Sequence, residues 1–278
     1  MQIDLAKIAQ YPVPLRLGCF ILALSILWLP LAIPIYLLVS DTNLESILTM
    51  VILYVEFIFL LKLWGKRVYQ KPKILTHYGL EFSRLNGIVF LQGLAIGLIS
   101  ILIVFSLQGL LGWVIWQQPK VLLLKIILEG FLVSFGVGLA EELLFRGWLL
   151  DELERDYNLG LAACIDAILF AVAHFIKPLA AIIHTLPQFP ALVLLGLTQV
   201  WGKRGTRGRL GLPIGLHSGL VWGYYIINVG ELTKYSGVVP DWITGVNNNP
   251  LQGIMGVLSM CGLAWWMRGK ALKINNKL

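Results

Sequence analysis

The stretch FGVGLAEELLFRGWLLDELERD, residues 135–156, sets two adjacent glutamates and an arginine among leucine, valine and glycine. Ionised side chains are costly in apolar surroundings. The meaning of this stretch therefore depends on whether it lies in water, in a protein core or in a membrane. The composition of the rest of the chain distinguishes these environments.

The whole chain has the composition of a membrane protein. Of its 278 residues, 58% are hydrophobic and 13% are charged, and its mean hydropathy is +0.79. Soluble domains are roughly half apolar and a quarter charged. The apolar residues form about eight blocks, most of them near the ~20 residues that cross a hydrocarbon core as a helix. We predict an all-α, polytopic membrane bundle of about eight transmembrane helices, forming one integral-membrane domain over residues 1–278.

The predicted helices follow from the block boundaries. The blocks cover residues 17–40, 44–64, 87–116, 121–150, 159–175, 180–201, 212–229 and 251–267. The third block is so long that it must tilt or end early, near Gly109 and Gly112. Pro187 and Pro190 interrupt the sixth, which is expected to begin with a short re-entrant or interfacial turn. The first block is too long for a cleavable signal peptide and is expected to be retained as a helix.

Lys and Arg are unevenly distributed over the connections between blocks. With the N-terminus inside, 18 of the 22 Lys and Arg residues fall in cytoplasmic segments, where an excess is expected. This predicts cytoplasmic N- and C-termini. The net charge of +7 then reflects topology and attraction to anionic headgroups, and it does not indicate nucleic-acid binding.

Ionisable groups inside apolar blocks mark a working site or a structural pair. Glu142 and Arg146 are four residues apart, so they share a helix face and can neutralise each other. Glu141 points about 100° away and needs a partner from elsewhere. Gly136 and Gly138 leave room for another helix or a substrate backbone. The other candidates are Glu56, Glu129, Asp166, His174, His184 and His217.

Two histidines are placed to join Glu141 from other helices. His174 shares a helix face with Phe170, and His217 lies within the apolar segment LPIGLHSGLVWGYY, residues 212–225. A carboxylate and two imidazoles converging on one polar cavity can hold and deprotonate a water, as amide hydrolysis requires. Alternatively, Glu141, His174 and His217 could bind a divalent metal, for which Zn²⁺ is the usual choice.

Each motif alone also has a structural interpretation. Glu142 with Arg146 is typical of an ion pair that holds helices together, and a single interior histidine is usually just hydrogen-bonded. Asp166 lies two turns from His174 on nearly the same side, which suits a supporting residue. A rival functional hypothesis is a non-catalytic membrane transporter or scaffold, in which the carboxylates and histidines form a proton or ion relay.

The motifs together resemble those of a known family. Three of them occur in order along apolar segments: Glu141-Glu142-x-x-x-Arg146, Phe170-x-x-x-His174 and His217. The ordered set resembles the CAAX protease and bacteriocin-processing family of intramembrane peptidases, also called CPBP, Abi or type II CAAX endopeptidases. The resemblance covers about residues 121–229, the expected catalytic core.

The resemblance implies a role for each matched residue. Glu141 and His174 would activate water, and His217 would help to stabilise the oxyanion. Glu142 and Arg146 would form a supporting pair, in agreement with their spacing, and the phenylalanine of the second motif would be a further supporting residue. Relatives have been described both as metalloproteases and as metal-independent glutamate proteases, so the resemblance leaves a bound zinc open.

The resemblance also implies a location and a kind of substrate. It suggests a multi-pass protein of a prokaryotic plasma membrane whose active site faces the cytoplasm. The substrate would be a membrane-associated protein or peptide, with prenylated CAAX proteins as the archetype. Peptide maturation, bacteriocin immunity and regulated proteolysis are equally compatible with the motifs.

The chain departs from the family pattern at one position. Val221 stands four residues after His217, where the family often has Asn or Asp. Either His217 acts alone, or Tyr224 or Trp222 supplies a donor, or the oxyanion site is weakened.

Overall fold

The computed structural model describes residues 5–275, without the side chains of Asn247 and Asn275. Lys277, one of the cations counted above, lies outside the described residues. Helices make up 78% of the chain, which confirms the all-α prediction. The packing separates two compact units, one of residues up to 77 with 152–157 and the other of residues 78–151 with 158 onward.

The first unit is built on a helical hairpin. Its elements are a 3-10 turn (Leu5–Gln10) and helices α1 (Val13–Leu38), α2 (Thr42–Arg67) and α3 (Ile74–His77). Phe20 of α1 packs edge-on against Trp64 of α2 with ring centroids 5.3 Å apart. Nearer the turn, Trp28 Nε1 donates to the carbonyl of Thr49 at 3.0 Å. These contacts make α1 and α2 antiparallel neighbours.

A polar cluster ties the start of α1 to the acidic segment 152–157 of the same unit. The buried Arg16 donates from Nε to Glu152 at 2.8 Å and from Nη1 to Asp156 at 3.0 Å. Tyr69, beyond the end of α2, donates its hydroxyl to Glu152 at 2.5 Å. Burial, and then the negative charge of Glu152, raise the pKa of Tyr69. The tyrosine therefore keeps its proton and acts as a donor to the carboxylate.

The second unit contains the remaining helices and a small sheet. Its elements in chain order are α4 (Arg84–Leu110), β1 (Val114–Trp116), α5 (Leu123–Glu142), a π-helical segment (Leu143–Leu149), α6 (Leu150–Glu154), α7 (Leu159–Ala173), α8 (Leu179–Thr185), a 3-10 turn (Leu186–Gln188), α9 (Phe189–Arg204), α10 (Gly211–Val229), β2 (Thr233–Tyr235), α11 (Asp241–Thr244), 3-10 turns (Val246–Asn248 and Pro250–Gln252) and α12 (Ile254–Asn275). The last residues of α6 belong to the first unit. Strands β1 and β2 pair antiparallel, with Val114 opposite Tyr235. The sequence did not predict this sheet, because strands of three residues carry no readable alternation.

Five helical stretches of the described chain are long and apolar enough to cross a membrane: α1, α2, α4, the continuous stretch Leu123–Glu154 and the stretch Leu179–Arg204. The other three predicted blocks correspond to α7, α10 and α12. Helix α4 ends at Leu110, near the predicted break, and Leu186–Gln188 is the predicted interruption of the sixth block. These helices support the polytopic membrane class, whereas the number of eight spans stays a prediction.

Helix α10 is surrounded by protein and packs closely on α4. Every residue from Gly211 to Leu220 is buried. On α4, Gly93 and Gly97 lie against the backbone of α10, and on α10, Gly215 and Gly219 lie against the backbone of α4; a Cβ at any of the four would overlap main-chain atoms of the other helix. Small residues four apart on both helices permit this close approach. The packing places His217 at a fixed depth inside the unit.

The two glycines before Glu141 behave differently. A Cβ at Gly138 would overlap the hydroxyl of Ser218 in α10, so this glycine does make room for another helix, as predicted. No described atom lies within 4 Å of a Cβ placed at Gly136. The expected helix contact is therefore made at Gly138, and the α5 surface at Gly136 is open.

Candidate active site

An ion-paired group forms where α5 passes into the π-helical segment. Glu142 and Arg146 are fully buried, and Arg146 Nη1 donates to Glu142 Oε1 at 3.3 Å, as their spacing predicts. Arg146 Nε lies 3.4 Å from Asp166 Oδ2 on α7. Its Nη2 donates to the carbonyl of Gly196 on α9 at 3.0 Å. Asp166, predicted to support His174, therefore contacts Arg146. These carboxylates and the carbonyl compensate the buried guanidinium.

The π-helical segment Leu143–Leu149 widens the helix just after Glu142. The Leu150 N–H donates to the carbonyl of Phe145, five residues earlier. The side chain of Lys203 donates to the main-chain carbonyl of Arg146 at 2.6 Å. Single π-helical turns inside α-helices are frequent at functional sites, and the residue pattern did not predict this one.

His217 connects the buried pair to Glu141. Its Nδ1 lies 2.8 Å from Glu142 Oε1, and because an ionised carboxylate only accepts, Nδ1 carries the proton. Its Nε2 lies 3.9 Å from Glu141 Oε2. The imidazole is only 4% exposed, so both of its nitrogens face carboxylates inside the protein.

His174 approaches the same carboxylate oxygen from α7. It is the C-terminal cap of that helix, and its Nδ1 donates to the carbonyl of Phe170 at 2.8 Å. In the neutral ring the lone pair is therefore on Nε2, which lies 3.9 Å from Glu141 Oε2. The Phe170 ring packs edge-on against His174, with centroids 4.7 Å apart, and its other face lies 4.3 Å from the guanidinium carbon of Arg146.

Glu141 Oε2 is the point where the two imidazoles meet. This atom is buried and has no hydrogen-bond partner among the described residues, although the side chains of Glu141 and His174 are 31% and 29% exposed. A separation of 3.9 Å is too long for a direct hydrogen bond. It suits two hydrogen bonds of about 2.8 Å to one shared water. The structure thus brings Glu141, His174 and His217 together from three helices.

Zinc uses the same donor types, so the spacing of the site was compared with a zinc site. Two ligand atoms of a tetrahedral zinc ion, each about 2.0–2.2 Å from it, lie about 3.3–3.6 Å apart. The Glu141 oxygen is 3.9 Å from each imidazole nitrogen. Over the described residues, no group of three His, Cys, Asp or Glu side chains is placed to hold a metal ion. The present spacing does not fit zinc, and no step is derived through it.

The remaining ionisable candidates lie elsewhere. Glu56 belongs to α2 of the first unit, and His184 lies on α8. Glu129 lies 3.7 Å from Lys125 on the exposed face of α5. None of them contributes an atom to the contacts described for Glu141.

The structure also bears on the residues after His217. Val221 lies one helical turn beyond His217, while Trp222 Nε1 donates to the carbonyl of Ile127 on α5 at 2.9 Å. Tyr224 lies about 10 Å along the axis from His217. The indole donor of Trp222 is therefore engaged elsewhere, which favours the hypothesis that His217 acts alone.

Fold and site together define a class: a polytopic helical membrane protein with one internal carboxylate and two imidazoles around a small polar space. Residues 123–223 match the family model described as type II CAAX prenyl endopeptidase Rce1-like. The matched segment contains Glu141, His174 and His217, and it confirms the family resemblance carried by the three motifs. No curated protein and no solved structure gives a significant match to the chain.

Gln199 is a buried polar residue that the sequence analysis overlooked. It lies on α9 between Gly196 and Lys203, and both of these contact Arg146. The positions i, i+3 and i+7 share one helix face, so Gln199 faces the same interior. Its side chain is fully buried, and within the described chain neither its oxygen nor its nitrogen has a hydrogen-bond partner. A glutamine among apolar α9 residues was the available signal.

We expect Gln199→Met to stabilise the protein by about 1–3 kcal/mol, because it removes an unpaired buried amide while nearly keeping its volume. Thermal or denaturant unfolding in detergent measures the change. The matched control is Gln108→Met, since buried Gln108 donates to the carbonyl of Thr244 at 3.3 Å and its loss should destabilise by about 1 kcal/mol. Equal destabilisation by both substitutions would contradict the prediction.

Proposed function

We propose that the chain is an intramembrane endopeptidase that hydrolyses a peptide bond in a membrane-associated protein or peptide. The observation that carries the proposal is the position of Glu141 Oε2, 3.9 Å from Nε2 of both His174 and His217. The family match over residues 123–223 supports it.

Glu141 and His174 activate the water that attacks the peptide carbonyl. The Phe170 carbonyl holds the His174 Nδ1 proton, which leaves Nε2 as a proton acceptor next to the carboxylate. Together they take one proton as the water oxygen bonds to the carbonyl carbon, and this proton is returned to the leaving amine when the C–N bond breaks. Base catalysis of this kind contributes about 10²- to 10⁴-fold.

His217 stabilises the negative charge that develops on the carbonyl oxygen. Because its Nδ1 donates to Glu142, Nε2 is a donor when the ring is an imidazolium. The buried ions Glu142, Asp166 and Arg146 carry one net negative charge, which an imidazolium at His217 balances. The supporting pair thus orients His217 and favours the charged form that donates to an oxyanion.

The topology and substrate complete the proposal. We assign eight membrane spans with both termini and the site on the cytoplasmic side of a prokaryotic plasma membrane, as the distribution of Lys and Arg indicates. The substrate is processed near its C-terminus or in its juxtamembrane part, and lipidated CAAX-type proteins and bacteriocin-related peptides are the classes that the family suggests.

A transporter or scaffold is the competing hypothesis. A proton or ion relay needs polar groups spaced along a path through the membrane. The contacts of Glu141 and its two histidines instead surround one position, which supports the peptidase.

Cleavage of a membrane-tethered peptide by the purified, folded protein tests the proposal. We expect His174→Ala and His217→Ala each to lower the rate by about 10²-fold or more. His77→Ala, which removes a histidine of the first unit near Lys71, is the control and should cut like the parent. Undiminished cleavage by both site variants would reject the assignment. A chelator should leave the parent's rate unchanged, and a loss that added zinc restores would establish a metal mechanism instead.

A further inference from the structure

A basic groove opens at one end of the second unit, away from the residues used above. It has a volume of about 260 Å³ and lies between the first turns of α4, the connection from α9 to α10 and the last turns of α12. Three cations line it, namely Arg207, Arg209 and Lys270, and no acidic side chain does so in the described chain.

The cations are held in place by local structure. Arg207 has a φ of +56° and is followed by Gly208 with a φ of +83°; non-glycine residues rarely adopt this conformation. The Gly208 N–H donates to the carbonyl of Lys203 at 2.9 Å, which closes the turn. Arg209 Nη1 donates to the carbonyl of Thr206 at 3.1 Å, and its Nε lies 3.4 Å from Glu81. Glu81 offsets part of the charge of Arg209, whereas Arg207 and Lys270 are exposed.

The opposite wall of the groove is apolar. Leu85 and Val89 of α4 and Met267 of α12 line it. Two candidate spans, Arg84–Leu110 and Leu179–Arg204, begin and end beside the groove, so it lies at the depth where a helix leaves the hydrocarbon. Cations beside an apolar wall at this depth match a phosphate linked to acyl chains.

We propose that the basic groove binds an anionic phospholipid, with its phosphate at Arg207 and Lys270 and the first part of an acyl chain along Leu85 and Val89. Basic pockets between membrane helices recognise anionic headgroups in this way. A zwitterionic lipid would bring its own cation and lose most of the attraction. The proposal does not depend on the peptidase activity.

The test measures lipid binding to the purified full-length protein by native mass spectrometry. We expect phosphatidylglycerol to bind more tightly than phosphatidylcholine by about tenfold, and Arg207→Asn with Lys270→Gln to remove that preference. Asn is chosen because it tolerates the positive φ of Arg207. The control, Lys66→Gln with Arg268→Gln, removes the same charge outside the groove and should keep the preference.

Two further measurements identify the occupant. Val89→Trp fills the apolar wall without changing charge and should weaken phosphatidylglycerol binding, while inorganic phosphate at the same concentration should not displace the lipid. The proposal is overturned if the parent binds both lipids equally, if the control pair loses the preference, if Val89→Trp binds like the parent, or if phosphate displaces the lipid.

Discussion

Glu141→Gln is expected to lower peptide cleavage by about 10²- to 10⁴-fold while leaving the protein folded. The amide has the size of the carboxylate but cannot accept the proton of the attacking water. Glu141 is half-buried and forms no direct hydrogen bond at its buried Oε2 within the described residues. The substitution should therefore change kcat far more than stability. Initial rates and the unfolding temperature of the same preparation measure both quantities.

Glu129→Gln is the matched control for Glu141→Gln. Both residues belong to α5, but Glu129 pairs with Lys125 on an exposed face. Its loss should leave cleavage within about twofold of the parent, since exposed pairs contribute little. A Glu141→Gln protein that cuts at the parent's rate would remove Glu141 from the mechanism, whatever the behaviour of the control.

Arg146→Met is expected to destabilise the protein by about 3–5 kcal/mol and to prevent folding in many conditions. The substitution leaves Glu142 and Asp166 buried without the guanidinium that lies 3.3 and 3.4 Å from them. It also removes the donor to the carbonyl of Gly196. Denaturant unfolding in detergent, or the yield of monodisperse protein, measures the effect.

Two further variants show whether charge is the cause. Arg155→Met removes an exposed arginine that stacks 3.8 Å from the Tyr69 ring, and it should cost about 1 kcal/mol or less. Adding Glu142→Gln and Asp166→Asn to Arg146→Met should recover part of the lost stability, because it removes the uncompensated charges. If the triple variant is less stable than Arg146→Met alone, packing of the arginine stem matters more than its charge.

The contact between Glu142 and Arg146 was predictable because it is local. Residues four apart on a helix are neighbours whatever surrounds the helix, so spacing was enough. The same local rule did not reveal the π-helical turn, since its wider hydrogen bonding depends on contacts such as that of Lys203 with the Arg146 carbonyl. Nor did it assign Asp166, which turned toward Arg146 on a neighbouring helix.

The meeting of Glu141 with the two histidines was not available from periodicity. His174 and His217 lie on other helices, and only the resemblance to a family suggested that they approach the same oxygen. Their orientation was beyond the motifs as well, because the carbonyl of Phe170 and the carboxylate of Glu142 decide which ring nitrogen carries the proton.

The amino-acid sequence by itself determined the helical membrane class and the family. Both rest on properties that survive without a fold, namely the length and hydropathy of segments and the order of motifs along the chain. Tertiary structure alone decided the close glycine contact of α4 with α10, the pairing of β1 with β2 and the burial of Gln199. These depend on which helix faces are brought together, and many nearly equivalent apolar faces in one chain leave that choice to the packing of the whole unit.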